Sequence, residues 1–115
     1  MGRRSRQREK LTAPVAEHRD ADGGVLRLRG SLSPASRSEY RSVLERGLDR
    51  EDAWQRAVEF LFERLAVSWS IAGLEITRQK ELLGRYRMAS SAERRFVRDA
   101  LREHVREHFP ELQAP

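Results

Sequence analysis

Histidine and arginine are the side chains whose spacing in this sequence could do chemistry. His104 and His108 stand four residues apart, the interval at which one helix face can offer two imidazoles to a metal ion. Between them lie Val105, Arg106 and Glu107, which is not the Glu-led arrangement of a zinc-protease helix. Both histidines also fall near the middle of their helix's apolar face, so the expectation is a half-buried pair packed over the core. His18 is the third histidine and lies in a different segment. No metal site and no cofactor are assigned.

Arg94, Arg98, Arg102 and Arg106 recur every four residues and form one ridge of the same helix. Guanidinium groups about 6 Å apart along a helix axis could track a phosphate backbone. Asp99, Glu103, Glu107 and Glu111 form the adjoining ridge, and Asp99 and Glu103 precede Arg102 and Arg106 by three residues, close enough to pair. An acidic ridge beside a basic one repels phosphate, so the expectation is a salt-bridged solvent face, with a nucleic-acid face or a charged protein-docking face as the alternatives.

The second basic feature is the opening segment MGRRSRQREK. Arg3, Arg4, Arg6, Arg8 and Lys10 stand there against Glu9, so +4 of the formal charge of +5 belongs to ten of the 115 residues. The remainder is nearly neutral, which makes this segment the main electrostatic handle for nucleic acid or an acidic surface. It has no hydrophobic periodicity and reads as a disordered basic arm over residues 1–14. No apolar run follows it, which argues against a signal peptide, and the longest apolar stretch, Leu65 to Leu74, is too short and too interrupted for a membrane span. The expectation is a cytoplasmic protein.

Several chemistries are disfavoured. The chain has no cysteine, which excludes disulfides and Cys-ligated zinc. Its serines stand in no G-x-S-x-G elbow, and no glycine-rich segment forms a phosphate cradle. The Asp20–Gly24 stretch, DADGG, lacks the later ligands of a calcium loop. The carboxylates lie on polar faces or at helix starts, not in apolar settings that would raise a pKa for acid catalysis. An enzyme is not expected.

The elements that must position these groups follow from periodicity and punctuation. Around DADGG, residues 15–19 and 25–29 form a hairpin, with Leu26 and Leu28 on one face and Arg27 and Arg29 on the other. Ser33 and Pro34 start a helix over about 34–46, ended by Gly47. Asp49 caps the next, read as one long helix over about 50–72. On its wheel Trp54, Val58, Leu61, Leu65, Trp69 and Ala72 make one apolar face, and Phe60, Val67 and Ile71 a second ridge. After Gly73 come helices over about 78–88 and 92–108, the latter opened by a Ser90–Glu93 capping box and stopped by Pro110. This last pair has the outline of a helix-turn-helix, but its turn is Ala-Ser-Ser and only Arg94 and Arg95 suit base reading.

The fold class expected is mainly α (α+β): a short N-terminal β-hairpin (15–30) followed by a small bundle of about four helices around a central buried helix, in one domain over 15–112. The function expected is a non-enzymatic protein-interaction or adaptor module, with the arm adding affinity for an anionic partner. Phe60, Val67, Trp69 and Ile71 are the candidate protein-contact or self-association residues. The alternative is a nucleic-acid-binding accessory protein without sequence preference, using the arm and Arg94, Arg98, Arg102 and Arg106. No membrane contact and no small-molecule substrate are expected.

Overall fold

The structure, a computed structural model, describes residues 14–46 and 49–115. The arm bearing Arg3, Arg4, Arg6, Arg8 and Lys10, and the helix stop assigned to Gly47, lie outside the described residues.

The hairpin forms where the alternation places it, with β1 (Val15–Arg19) antiparallel to β2 (Val25–Arg29). Leu26 and Leu28 are fully buried, and Arg27 reaches across to Glu17 at 3.1 Å on the opposite face. Helix α1 (Pro34–Glu45) starts at Ser33, whose hydroxyl accepts the Ser36 N–H at 3.1 Å. Helix α2 (Arg50–Leu65) starts at Asp49, whose carboxylate accepts the Glu51 N–H at 3.1 Å.

At Leu65 the structure departs from the expected long helix. The chain turns into β3 (Ala66–Ile71), and a two-residue turn leads to β4 (Leu74–Ile76). The physical reason is visible in the residues: Val67, Trp69 and Ile71 alternate with Ser68 and Ser70, a period of two built from β-branched and aromatic side chains. Over six residues a helical stripe through Trp69 and Ala72 fits the same letters, so periodicity alone cannot separate the two. The turn decides. Ala72 (φ 51°) and Gly73 (φ 80°) both adopt the left-handed conformation that a tight β-hairpin turn demands.

The fold is therefore α+β, with a four-stranded antiparallel sheet in the order β1-β2-β3-β4 and four helices, not a hairpin attached to a helical bundle. His18, Leu26, Trp69 and Ile76 are cross-strand partners in one row. Arg27 pairs with Ser68 but Leu28 with Ala66, so Val67 is the extra residue of a bulge. Helix α2 packs on β3 and touches α1 and the last two helices, α3 (Gln79–Arg87) and α4 (Ser91–His108), while α4 also rests on β2. Val58, Leu61 and Leu65 are buried as the helical wheel predicts, but Trp54 is 36 % exposed. Ala57 and Phe62, on neither predicted stripe, are buried instead. Phe62 stands edge-on to Trp69 at 5.8 Å and stacks on Tyr86 at 5.2 Å, joining α2, β3 and α3 at the centre of the core.

The joint between α3 and α4 is tightly made. The capping box forms, with the Glu93 N–H donating to Ser90 Oγ at 3.1 Å and the Ser90 N–H to Glu93 Oε1 at 2.9 Å. Arg85 then grips both oxygens of Glu93, at 3.2 and 2.7 Å. That bidentate bond, with the Ser90 backbone N–H, holds the Glu93 carboxyl below its ordinary pKa. No described helix is long and apolar enough to cross a membrane.

Candidate functional site: an arginine-lined groove

The arginine ridge and the acidic ridge of α4 face different neighbours. A cleft of about 480 Å³ opens between the first half of α2 and the middle of α4. Trp54, Gln55 and Val58 form one wall, Arg98 and Arg102 the other, with Tyr86 and Pro115 also lining it. A second depression, about 210 Å³, shares Gln55, Tyr86 and Arg98 with the first and carries the groove on past Arg94 and Arg95. Asp99 and Glu103 instead line a separate recess, together with Glu17, His18 and Arg19 of β1. The helical offset between the two ridges thus becomes a division between two sides of the molecule.

This changes the expected electrostatics. Only one of the two anticipated helix pairs forms among the described residues, Arg102 with Asp99, and it is long at 3.8 Å. Arg94, Arg95 and Arg98 make no ion pair among the described residues. Arg94 donates to the Arg87 carbonyl and lies 5.8 Å from the Tyr86 ring centre, which fixes its direction. Arg102 Nε donates to the main-chain oxygen of Pro115 at 3.1 Å. Of the groove's carboxylates, Glu59 pairs with Arg87 at 2.9 Å, Asp49 accepts the α2 cap bond, and Glu51, exposed and next to Arg50 in the chain, makes no ion pair among the described residues. Burial raises the Tyr86 hydroxyl above its ordinary pKa, so it stays neutral and offers a hydrogen-bond donor. Arg106 is exposed but lines neither depression. Arg95, not part of the predicted ridge, takes its place.

The three histidines meet at the opposite side of α4. His18 Nε2 lies 3.3 Å from His104 Nδ1, and the rings of His104 and His108 are 4.3 Å apart. His104 Nε2 is 2.6 Å from the Arg29 carbonyl. A carbonyl only accepts, so Nε2 carries the proton and Nδ1 must accept from His18. Both His104 nitrogens are thereby committed, leaving none for a metal. Among the described residues no group of three or more His, Cys, Asp or Glu side chains is placed to hold one. His104 is fully buried, and His108 is partly buried with no partner for its Nε2 among the described residues. Gly30 permits the approach of β2 to this cluster, since a Cβ there would lie 3.1 Å from His108 Nδ1 and 3.0 Å from the Pro14 carbonyl.

The candidate protein-contact residues are dispersed, because the helix expected to align them ends at Leu65. Trp69 is 1 % exposed, capped by Arg85 at 5.6 Å, and is a core residue rather than a contact surface. Phe60 is half-buried between Tyr40 and Arg64. Val67 occupies the bulge and Ile71 packs partly on the core. Sequence reasoning missed Trp54 as an exposed side chain, because the helical wheel places it on the same stripe as Val58 and Leu61. No family model, curated protein or solved structure matches the chain.

Proposed function

We propose that this protein is a non-enzymatic interaction module that docks an anionic partner along the arginine side of α4, with the basic N-terminal arm adding affinity. The observation that carries this reading is the separation of the two ridges. Arg94, Arg95 and Arg98 face a groove while Asp99 and Glu103 face the hairpin. Unpaired guanidinium groups beside an exposed indole form a surface with a clear electrostatic preference.

The test is retention on immobilised heparin, a polyanion without bases. Arg95→Glu with Arg98→Glu leaves every described ion pair intact and reverses two charges in the groove. The double variant should elute at markedly lower salt than wild type with an unchanged melting temperature. Equal elution would remove the groove from the binding surface and refute the proposal.

A further inference from the structure

We propose that the groove is a single-stranded nucleic-acid site in which Trp54 is the base-stacking platform and the α4 arginines hold the phosphates. This inference rests on the anionic-partner reading and assigns the class of partner. A large aromatic ring left 36 % exposed in a cleft wall is the observation to be explained, because its helical neighbours Ala53, Ala57 and Val58 are buried. Its cleft has the volume of a small-ligand pocket, enough to admit a base and its sugar. Arg98 and Arg102 lie across from the ring, so a base stacked on the indole would direct its phosphates toward guanidinium groups.

The geometry extends beyond one nucleotide. The two depressions share Gln55 and Arg98, and the arginines Arg102, Arg98 and Arg94 are separated by about 6 Å of helix rise each. A basic track beside an aromatic platform is the general arrangement for binding single strands, whose bases are free to stack. A duplex keeps its bases paired inside and has none to lay on Trp54. Gln55, which lines both depressions, has an amide donor and acceptor to offer a base. An acidic peptide would use the arginines but would gain no stacking from the indole, and so is the less favoured occupant.

The full-length chain should be titrated with three probes of matched charge: an oligodeoxythymidylate with ten phosphodiesters, the same backbone without bases, and a ten-residue polyglutamate. The oligonucleotide should bind tightest and quench tryptophan fluorescence, because Trp54 is reachable and Trp69 is buried. Trp54→Leu should abolish the quench and weaken oligonucleotide binding about tenfold, leave abasic binding unchanged, and Trp54→Phe should restore much of the loss. Arg95→Ala with Arg98→Ala should reduce the log–log salt dependence by about 1.4, at roughly 0.7 for each phosphate contact on a single strand. Equal affinity for the oligonucleotide and its abasic form, or an indifferent Trp54→Leu, overturns the stacking site while leaving anion binding intact. Tighter binding of polyglutamate overturns it in favour of an acidic protein partner. Failure of all three probes to bind refutes the anionic-partner reading as well.

Discussion

His18 Nε2 and His104 Nδ1 face each other at 3.3 Å across the junction of β1 and α4, and His104 holds the Arg29 carbonyl with its other nitrogen. This chain of two bonds ties the edge strand to the last helix, and it exists only while His104 is neutral. Burial lowers the His104 pKa to about 4, helped by the nearby His108 and His18, against the opposing pull of the Arg29 carbonyl and Glu107. Burial also lowers His18, opposed by Glu103 and Glu107.

The consequence is a defined loss of stability in acid. The folded pKa of His104 lies below its unfolded value of 6.5, so protons bind the unfolded chain first. The contribution is fully present above pH 6.5 and is lost as pH falls toward 4, below which His104 has no further effect. The loss should be on the order of 3 kcal/mol. Urea unfolding at pH 7 and pH 4.5 would measure it, with His104→Gln as the comparison, since an amide keeps a donor and an acceptor but does not titrate there. A pH dependence identical in both proteins would show that His104 is not the responsible group.

The corrected boundary of α2 makes a sharp contrast between two positions that the helical wheel treats alike. Leu61 is fully buried and Trp54 is 36 % exposed. Leu61→Ala should cost about 2–5 kcal/mol, the usual range for a core leucine, whereas Trp54→Leu should change stability by less than about 1 kcal/mol. Thermal unfolding of the two variants would check this, and comparable losses would place Trp54 in the core after all.

What was legible in the sequence was local. The first hairpin, the helix starts at Ser33, Asp49 and Ser90, and the end of α4 each depend on a few adjacent residues with fixed backbone demands. The stretch from Ala66 to Ile76 was not, because its alternating residues satisfy helical spacing too, and pairing with β2 is a long-range event that no local signal encodes. The same limit applies to the groove. The arginine and acidic ridges could be drawn from spacing, but their separation depends on α2 packing against one flank of α4 and β1 against the other. The meeting of His18 with His104 likewise follows from the register that sets His18 opposite Leu26.

The β3–β4 turn offers a test of that second hairpin. Ala72 is exposed and holds φ 51°, a conformation in which its Cβ is crowded, and Gly73 follows at φ 80°. Asn tolerates this conformation better than Ala, and Asn-Gly is the favoured pair for such a turn. Ala72→Asn should therefore raise stability by about 0.5–1 kcal/mol, read as a higher denaturation midpoint at constant slope. In the long helix first expected here residue 72 would be the last helical position, where Asn is accepted as readily as Ala and no comparable gain would follow. An unchanged midpoint would therefore count against the second hairpin's turn.

The final prediction divides the binding between arm and groove. From charge counts, the arm's five bases stand against a body that is nearly neutral, so removing residues 2–10 would be expected to abolish binding. The arrangement of the body alters that expectation. Net charge sums the acidic recess and the arginine groove, although they lie on opposite flanks of α4. A chain lacking residues 2–10 should therefore lose at most about 3.5 from its log–log salt dependence on a single-stranded oligonucleotide, at roughly 0.7 per arm contact. It should keep a weaker residual affinity that still quenches Trp54 and is removed by Arg95→Ala with Arg98→Ala. Isothermal titration at three salt concentrations would supply both slopes. A truncated chain with no measurable affinity at low salt would show that the arm carries the interaction alone, and that the groove is a solvated face.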